Sequence, residues 1–177
     1  VCVIGGGPIG NLTAQAAKAM GAHAVLLSEI SAYRIEAAAR CGIPVMNPTE
    51  TALKDGILQA FGPDGADVII ECIGGSRTIK EAVDIARKGS DIIVVGVVPD
   101  LCAIDMGFVQ DHELRISGSA MYRVEDYREA IRLVGEGLIE FDALITHHVP
   151  FSDYASAYTL IEQAKDRAMK VIIDMEA

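Results

Sequence analysis

An α/β fold with a doubly wound parallel sheet is predicted by three observations. Short apolar runs alternate with stretches of helical periodicity along most of the chain. Residues 91–95 are a near-continuous β-branched run without polar alternation, as in strands covered on both faces. The opening run, residues 1–4, leads directly into Gly5-Gly6-Gly7-Pro8-Ile9-Gly10, and the run after it ends in an acid, Glu29.

The elements follow in order. Residues 1–4 form a strand. Ile9, Leu12, Thr13, Ala16 and Met20 then recur at helical spacing, and Gly21 stops that helix. Residues 24–28 form a second strand. Ser31 is placed to cap a helix through Arg40, with Gly42 just beyond its end. Residues 44–46 are a short third strand, and 49–61 a weaker helix interrupted by Gly56. Gly62-Pro63-Asp64-Gly65 is a turn. A second unit opens with the strand Val68–Glu71. A helix capped by Ser76 carries Ile79, Ala82, Val83 and Ala86 on one face, a strand follows at 91–95, and a looser crossover leads to a sixth strand at 113–117. After Met121 come a helix at 125–137, a strand at 145–149, a helix capped by Ser152 and a last strand at 170–174. These pieces are too few for a second core. The expected division is therefore residues 1–121 as the Rossmann domain and 122–177 as a C-terminal helix-strand appendage.

The chemistry starts at the glycine turn. Gly5, Gly7 and Gly10 have the G-x-G-x-x-G spacing: one for the tight turn, one for close approach to a pyrophosphate, one for helix–strand packing. The helix that begins there directs free N–H groups at an anion. Glu29 stands about twenty residues on, where a carboxylate accepts hydrogen bonds from an adenosine ribose. Alone, such a turn is weak and fits a bare strand–helix connection. Strand, helix and acid together point to a dinucleotide. Gly74, Gly75, Gly96 and Gly118 also follow predicted strands, on the edge where open parallel sheets bind ligands.

Composition narrows the rest. The net charge of −10 argues against a nucleic-acid partner. No apolar stretch is long enough for a membrane span, and no secretory pattern precedes the first strand. Cys2, Cys41, Cys72 and Cys102 form no C-x-x-C pair, and the histidines have no metal-ligand spacing. A reducing cytoplasm is the expected location.

At this point the chain resembles the cofactor-binding half of the medium-chain dehydrogenase/reductase family, on its zinc alcohol, sorbitol or threonine dehydrogenase side. The resemblance lies in Val3-Ile4-Gly5-Gly6-Gly7-Pro8-Ile9-Gly10, Leu27-Ser28-Glu29-Ile30-Ser31, Asp67-Val68-Ile69-Ile70-Glu71-Cys72-Ile73-Gly74, Val94-Val95-Gly96-Val97, Ile145-Thr146-His147-His148-Val149-Pro150-Phe151 and Lys170-Val171-Ile172-Ile173. It implies that Gly5, Gly7, Pro8, Ile9 and Gly10 hold the pyrophosphate. It places Glu29 on the ribose, flanked by Ile30 and Arg34, and Cys72, Ile73 and Gly74 along the adenosine side. Val95, Gly96, Val97, Ser119 and Met121 fall near the nicotinamide, and Lys170 on a basic position that reaches the pyrophosphate. NAD is favoured over NADP, because Glu29 repels a 2′-phosphate, although Arg34 could face one.

The family's zinc ligands and proton relay lie mostly in an upstream domain. The resemblance therefore implies zinc only there, an alcohol or polyol substrate for the intact enzyme, and no turnover by this chain alone. It also implies a homodimer, or a dimer-based tetramer, joined through the sixth strand. His112, Glu113 and Arg115 could instead blunt that edge. Three other readings compete: the opening of an FAD-binding flavoprotein, a non-enzymatic NAD-sensing module, and a zinc-free quinone reductase relative.

Overall fold

The structure, a computed structural model, describes residues 1–176. Six parallel strands form the main sheet: β1 (Cys2–Ile4), β2 (Leu26–Ser28), β3 (Val45–Met46), β4 (Val68–Glu71), β5 (Asp91–Val94) and β6 (Arg115–Gly118). Their spatial order is β3-β2-β1-β4-β5-β6, so the strand order reverses beside β1. In such a sheet the crevice at that reversal, beyond the carboxyl ends of the strands, is where ligands bind.

Helices cover both faces because successive strand residues point to opposite sides. Cys2 and Ile4 face one way and pack with Leu26, Ile69 and Ile92 against α3 (Leu53–Phe61), α4 (Ser76–Asp84) and α5 (Met106–Asp111), which contribute Ile57, Ala82, Val83 and Val109. Val3 faces the other way and packs with Leu27 against α1 (Pro8–Ala19) and α2 (Ala32–Arg40), through Ala14 and Ala38. Leu27, Ile69 and Ile92 are fully buried, each contributing about 1.5–3 kcal/mol. The small alanines let both helices lie close to the sheet.

Several expected boundaries move, each for a local reason. The helix expected at 49–61 starts at Leu53 because Asn47 closes the preceding residues into a turn, its Oδ1 accepting the Thr49 N–H at 3.0 Å. Gly56 does not interrupt α3: a Cβ there would strike Met46, so it lets the helix pass close over β3. Ser76 is the first residue of α4 and caps nothing; Gly75 is the N-cap. Ser152 lies in a short 3-10 turn, and the next helix, α7, runs Ser156–Ala164 without a side-chain cap. The looser crossover contains α5, capped by Asp105, which accepts the Phe108 N–H at 3.1 Å. The sixth strand starts at Arg115, two residues late, because Glu113 (φ 51°) completes the end of α5.

The glycines after β4 and β5 pack against each other. A Cβ on Gly74 would strike the Val97 backbone, and one on Gly96 the Gly74 backbone. The two turns are packed main chain on main chain, which by itself calls for glycine at both positions.

The C-terminal residues add α6 (Val124–Gly135), β7 (Ile145–Pro150), α7 and β8 (Lys170–Asp174), with β7 and β8 forming a separate parallel pair. In α6 only Leu133 is buried; Tyr127, Ile131, Val134 and Leu138, the apolar stripe of the sequence, are exposed. Several contacts attach these elements to the main sheet's helices. The Gln15 amide donates to the Glu140 carbonyl at 2.7 Å and accepts the Glu140 N–H at 2.6 Å. Ala37, Leu144 and Met169 bury a small cluster with Tyr33. The Ser31 hydroxyl donates to Asp166 at 2.6 Å.

Two predictions follow from packing. Gly96→Ala is expected to cost about 1–3 kcal/mol or more by overpacking the two turns. Gly118→Ala, with open space where its Cβ would stand, is expected to stay within about 0.5 kcal/mol of wild type. Urea denaturation checks both; equal losses would remove the main-chain contact as the cause.

A further prediction comes from burial. It pushes the Cys2 thiol up to about 12 and the Cys72 thiol up to about 11, from an ordinary 9.0. Above that ordinary value the unfolded chain releases protons that the folded chain keeps. The contribution is thus complete below pH 9 and is lost as pH rises toward 11 and 12. Stability should fall across that window by at most about 1.4 kcal/mol per pH unit and thiol. The Cys2→Ala/Cys72→Ala variant should show a shallower fall in the same urea series, and an unchanged slope would assign it elsewhere.

Candidate functional site

Every main-sheet strand that carries a predicted site residue ends on one edge, and the chain leaves each by continuing the ladder for one residue. The Gly5 N–H donates to Ser28, Glu29 to Met46, Cys72 to Ile4, Val95 to Glu71 and Ser119 to Val94. The geometry therefore brings Gly5, Glu29, Cys72, Val95 and Ser119 into one row.

The glycine turn divides its work among three residues. Gly5 has φ 99°, which a side chain rarely tolerates, and a Cβ there would also press on Ile73. A Cβ on Gly10 would collide with the Gly5 carbonyl, so Gly10 lets α1 pack onto the turn. Gly7 is different. Its φ of −62° suits any residue, and no protein atom lies within 4 Å of where its Cβ would be. Neither conformation nor packing calls for glycine there. Gly7 is also the N-cap of α1, Pro8 follows it, and no side chain caps the helix. The first N–H groups of α1, including that of Ile9, are left for a partner outside the helix.

Glu29 is almost fully buried at this turn. Its Oε2 accepts the Gly6 N–H at 2.7 Å, and Oε1 accepts those of Ile30 at 2.7 Å and Ser31 at 2.8 Å. Arg34 Nη1 lies 4.0 Å from Oε2. The carboxylate thus holds the end of β2 against the glycine turn, and Oε2 keeps one lone-pair direction free of hydrogen-bonded N–H. Ile30 and Ile73 stand exposed on either side.

Sequence reasoning passed over a second carboxylate, Glu71, at the end of β4. It has no exposure at all. Its Oε1 accepts the Ile73 and Gly74 N–H groups, each at 3.0 Å, and the Thr78 hydroxyl at 2.7 Å. Its main-chain carbonyl accepts from Val95 and Gly96. This closes the turn into α4 in place of a serine cap. The available signal was an acid ending an otherwise apolar strand just before Cys-Ile-Gly-Gly.

The remaining predicted residues separate. The Cys72 side chain turns toward α1, its Sγ 4.0 Å from Thr13 Oγ1. Val97 and Met121 are strongly exposed. Ser119 and Met121 line an open groove of about 800 Å³ with Thr13 and Gly118. Lys170 is exposed on β8, in the second sheet; among the described residues no hydrogen bond or ion pair links its side chain to the glycine turn.

Among the described residues no three His, Cys, Asp or Glu side chains gather as metal ligands would, so a metal site does not fit here. None of their helices is long and apolar enough to cross a membrane.

Comparison with known proteins agrees with this architecture. The family described as zinc-binding dehydrogenase matches residues 8–136. Sorbitol dehydrogenase 1 of Saccharomyces cerevisiae is 32% identical over 165 residues, covering 89% of this chain and 46% of the relative. Among solved structures, the alcohol dehydrogenase RspB of Escherichia coli CFT073, complexed with NADH, superposes with a TM-score of 0.86 at 26% identity, over 98% of this chain and 51% of that one. A zinc-binding dehydrogenase of Sinorhizobium meliloti 1021 bound to NADP gives 0.80 at 30% identity, over 88% and 47%. The chain spans about half the length of the relatives it matches. With the glycine turn, the 3-2-1-4-5-6 sheet and a family match over most of its length, the chain belongs to the zinc-binding dehydrogenases of the medium-chain type.

Proposed function

We propose that the carboxyl edge of the main sheet binds an extended dinucleotide, NAD in preference to NADP. Gly7 carries this reading: it is a glycine for which the protein itself has no use, at an uncapped helix N-terminus. The Ile9 and Gly10 N–H groups would receive the pyrophosphate. The free lone pair on Glu29 Oε2 would accept from the adenosine ribose, with Ile30 and Ile73 against the adenine. Main-chain groups around Val95, Val97, Ser119 and Met121 would hold the nicotinamide end, beside the groove that Ser119 and Met121 line. When bound, the dinucleotide supplies the hydride acceptor or donor. This chain binds it, fixes its orientation and presents one face to a small alcohol or polyol in the whole enzyme. Among the described residues there is no ligand set for zinc. Residues 1–121 form the binding domain in this reading, residues 122–177 return toward the rest of the enzyme, and the four free cysteines suit a reducing cytoplasm.

Fluorescence titration with NADH and NADPH tests the site. Wild type should prefer NADH, and Glu29→Ala should shrink that preference by at least about tenfold, since the ribose loses its acceptor. The ratio of affinities is read because Glu29 also supports the turn. Equal or tighter NADPH binding by wild type would sink the role given to Glu29.

We also propose pairing through β6, all four residues of which are exposed at the open edge. A two-fold partner would continue the sheet there. Sedimentation equilibrium should return a dimer, which Ile116→Pro disrupts, because the Arg115 and Ser119 N–H groups donate inward to β5 and that of Ile116 faces the open edge; a wild-type monomer would overturn the pairing.

A further inference from the structure

Ser31 and Arg34 follow the ribose-binding acid and begin α2. A hydroxyl and a guanidinium so placed are the groups a 2′-phosphate needs, and Glu29 alone leaves them facing the ribose end. The structure shows what else occupies them. The 3-10 turn Lys165–Arg167, at the far end of α7, packs against α2, and the Ser31 hydroxyl donates to Asp166 Oδ2 at 2.6 Å. The same carboxylate feels the positive charges of Arg34 and Arg167, and it is held below its ordinary range by the Ser31 hydrogen bond first and those charges after it. Arg34 has its other acid, Glu29, 4.0 Å away. Lys165 starts the turn with an uncommon backbone, φ 51° and ψ −116°. Beside it Asp166 and Arg167 line an open groove of about 860 Å³.

Without Asp166 this rim is basic, because the charges that act on Asp166 beside the Ser31 hydroxyl are those of Arg34 and Arg167. With it, the hydroxyl is engaged and the cations are partly neutralised. We propose that Asp166 is a specificity-determining residue of the dinucleotide site, one that closes a latent 2′-phosphate pocket formed by Ser31, Arg34 and Arg167 and so enforces NAD over NADP. This rests on the reading of the site given above. It assigns the C-terminal elements a direct part in cofactor choice, 135 residues along the chain from Ser31.

The test titrates NADH and NADPH against the full chain in four forms: wild type, Asp166→Asn, Glu29→Ala and Asp166→Asn/Arg34→Gln. Asp166→Asn keeps the shape, and its side chain is solvent-facing, so folding should be retained; circular dichroism checks this. It should raise NADPH affinity relative to NADH by about tenfold, the loss of one like charge beside the phosphate. Adding Arg34→Gln should cancel that gain, because the guanidinium is what the released pocket offers. An unchanged ratio in Asp166→Asn, with NADH binding intact in wild type and weakened in Glu29→Ala, overturns the role of Asp166 alone. Wild type that binds neither dinucleotide overturns the site reading and this role together.

Discussion

A parallel sheet ends all its strands on one edge, and the main-chain N–H groups of the turns there need acceptors. This requirement governs the molecule. Two buried carboxylates meet it: Glu29 takes the Gly6 N–H after β1 and two N–H groups after β2, and Glu71 takes two and a hydroxyl after β4. Charged acceptors make stronger hydrogen bonds than neutral ones, and a bond lost in a buried turn costs the full desolvation of the orphaned group. The row of turns is therefore rigid before any ligand arrives. A ligand edge of this kind pays little ordering entropy on binding.

The glycines divide along the same line. Gly5 and Gly10, and separately Gly74 and Gly96, are places where main chain touches main chain. Their absence of side chains is consumed by the fold. Gly7 remains, and its absence of a side chain faces outward. A glycine-rich motif thus contains residues under different constraints, and only a residue that the fold does not need reports directly on a partner.

The arrangement of helices and strands was largely legible in the sequence. The alternation of apolar runs and helical stripes, with Gly21, Gly42 and Gly62–Gly65 as punctuation, located all eight strands within two or three residues at each end. Ser31 caps α2 as its position indicated. What was not legible depended on contacts between distant segments. Gly56 reads as a helix breaker until Met46 lies under it. Ser76 reads as a cap until Glu71, five residues earlier, takes the turn's N–H groups. In the candidate site, the glycine turn and Glu29 could be found from spacing alone. Glu71 and Asp166 could not: one is an acid within an apolar run, the other a solvent-facing residue whose neighbour is far off in sequence.

The clasp between Gln15 and Glu140 has a different kind of consequence. A single amide imitates a strand neighbour, giving and taking one hydrogen bond with the main chain of residue 140. It reads no side chain. The segment it grips is thus free to exchange its residues over evolutionary time without loosening its hold on α1, whereas Gln15, with an interior position and two fixed partners, has almost no substitutes. Sequence drift is permitted on one side of the contact and forbidden on the other.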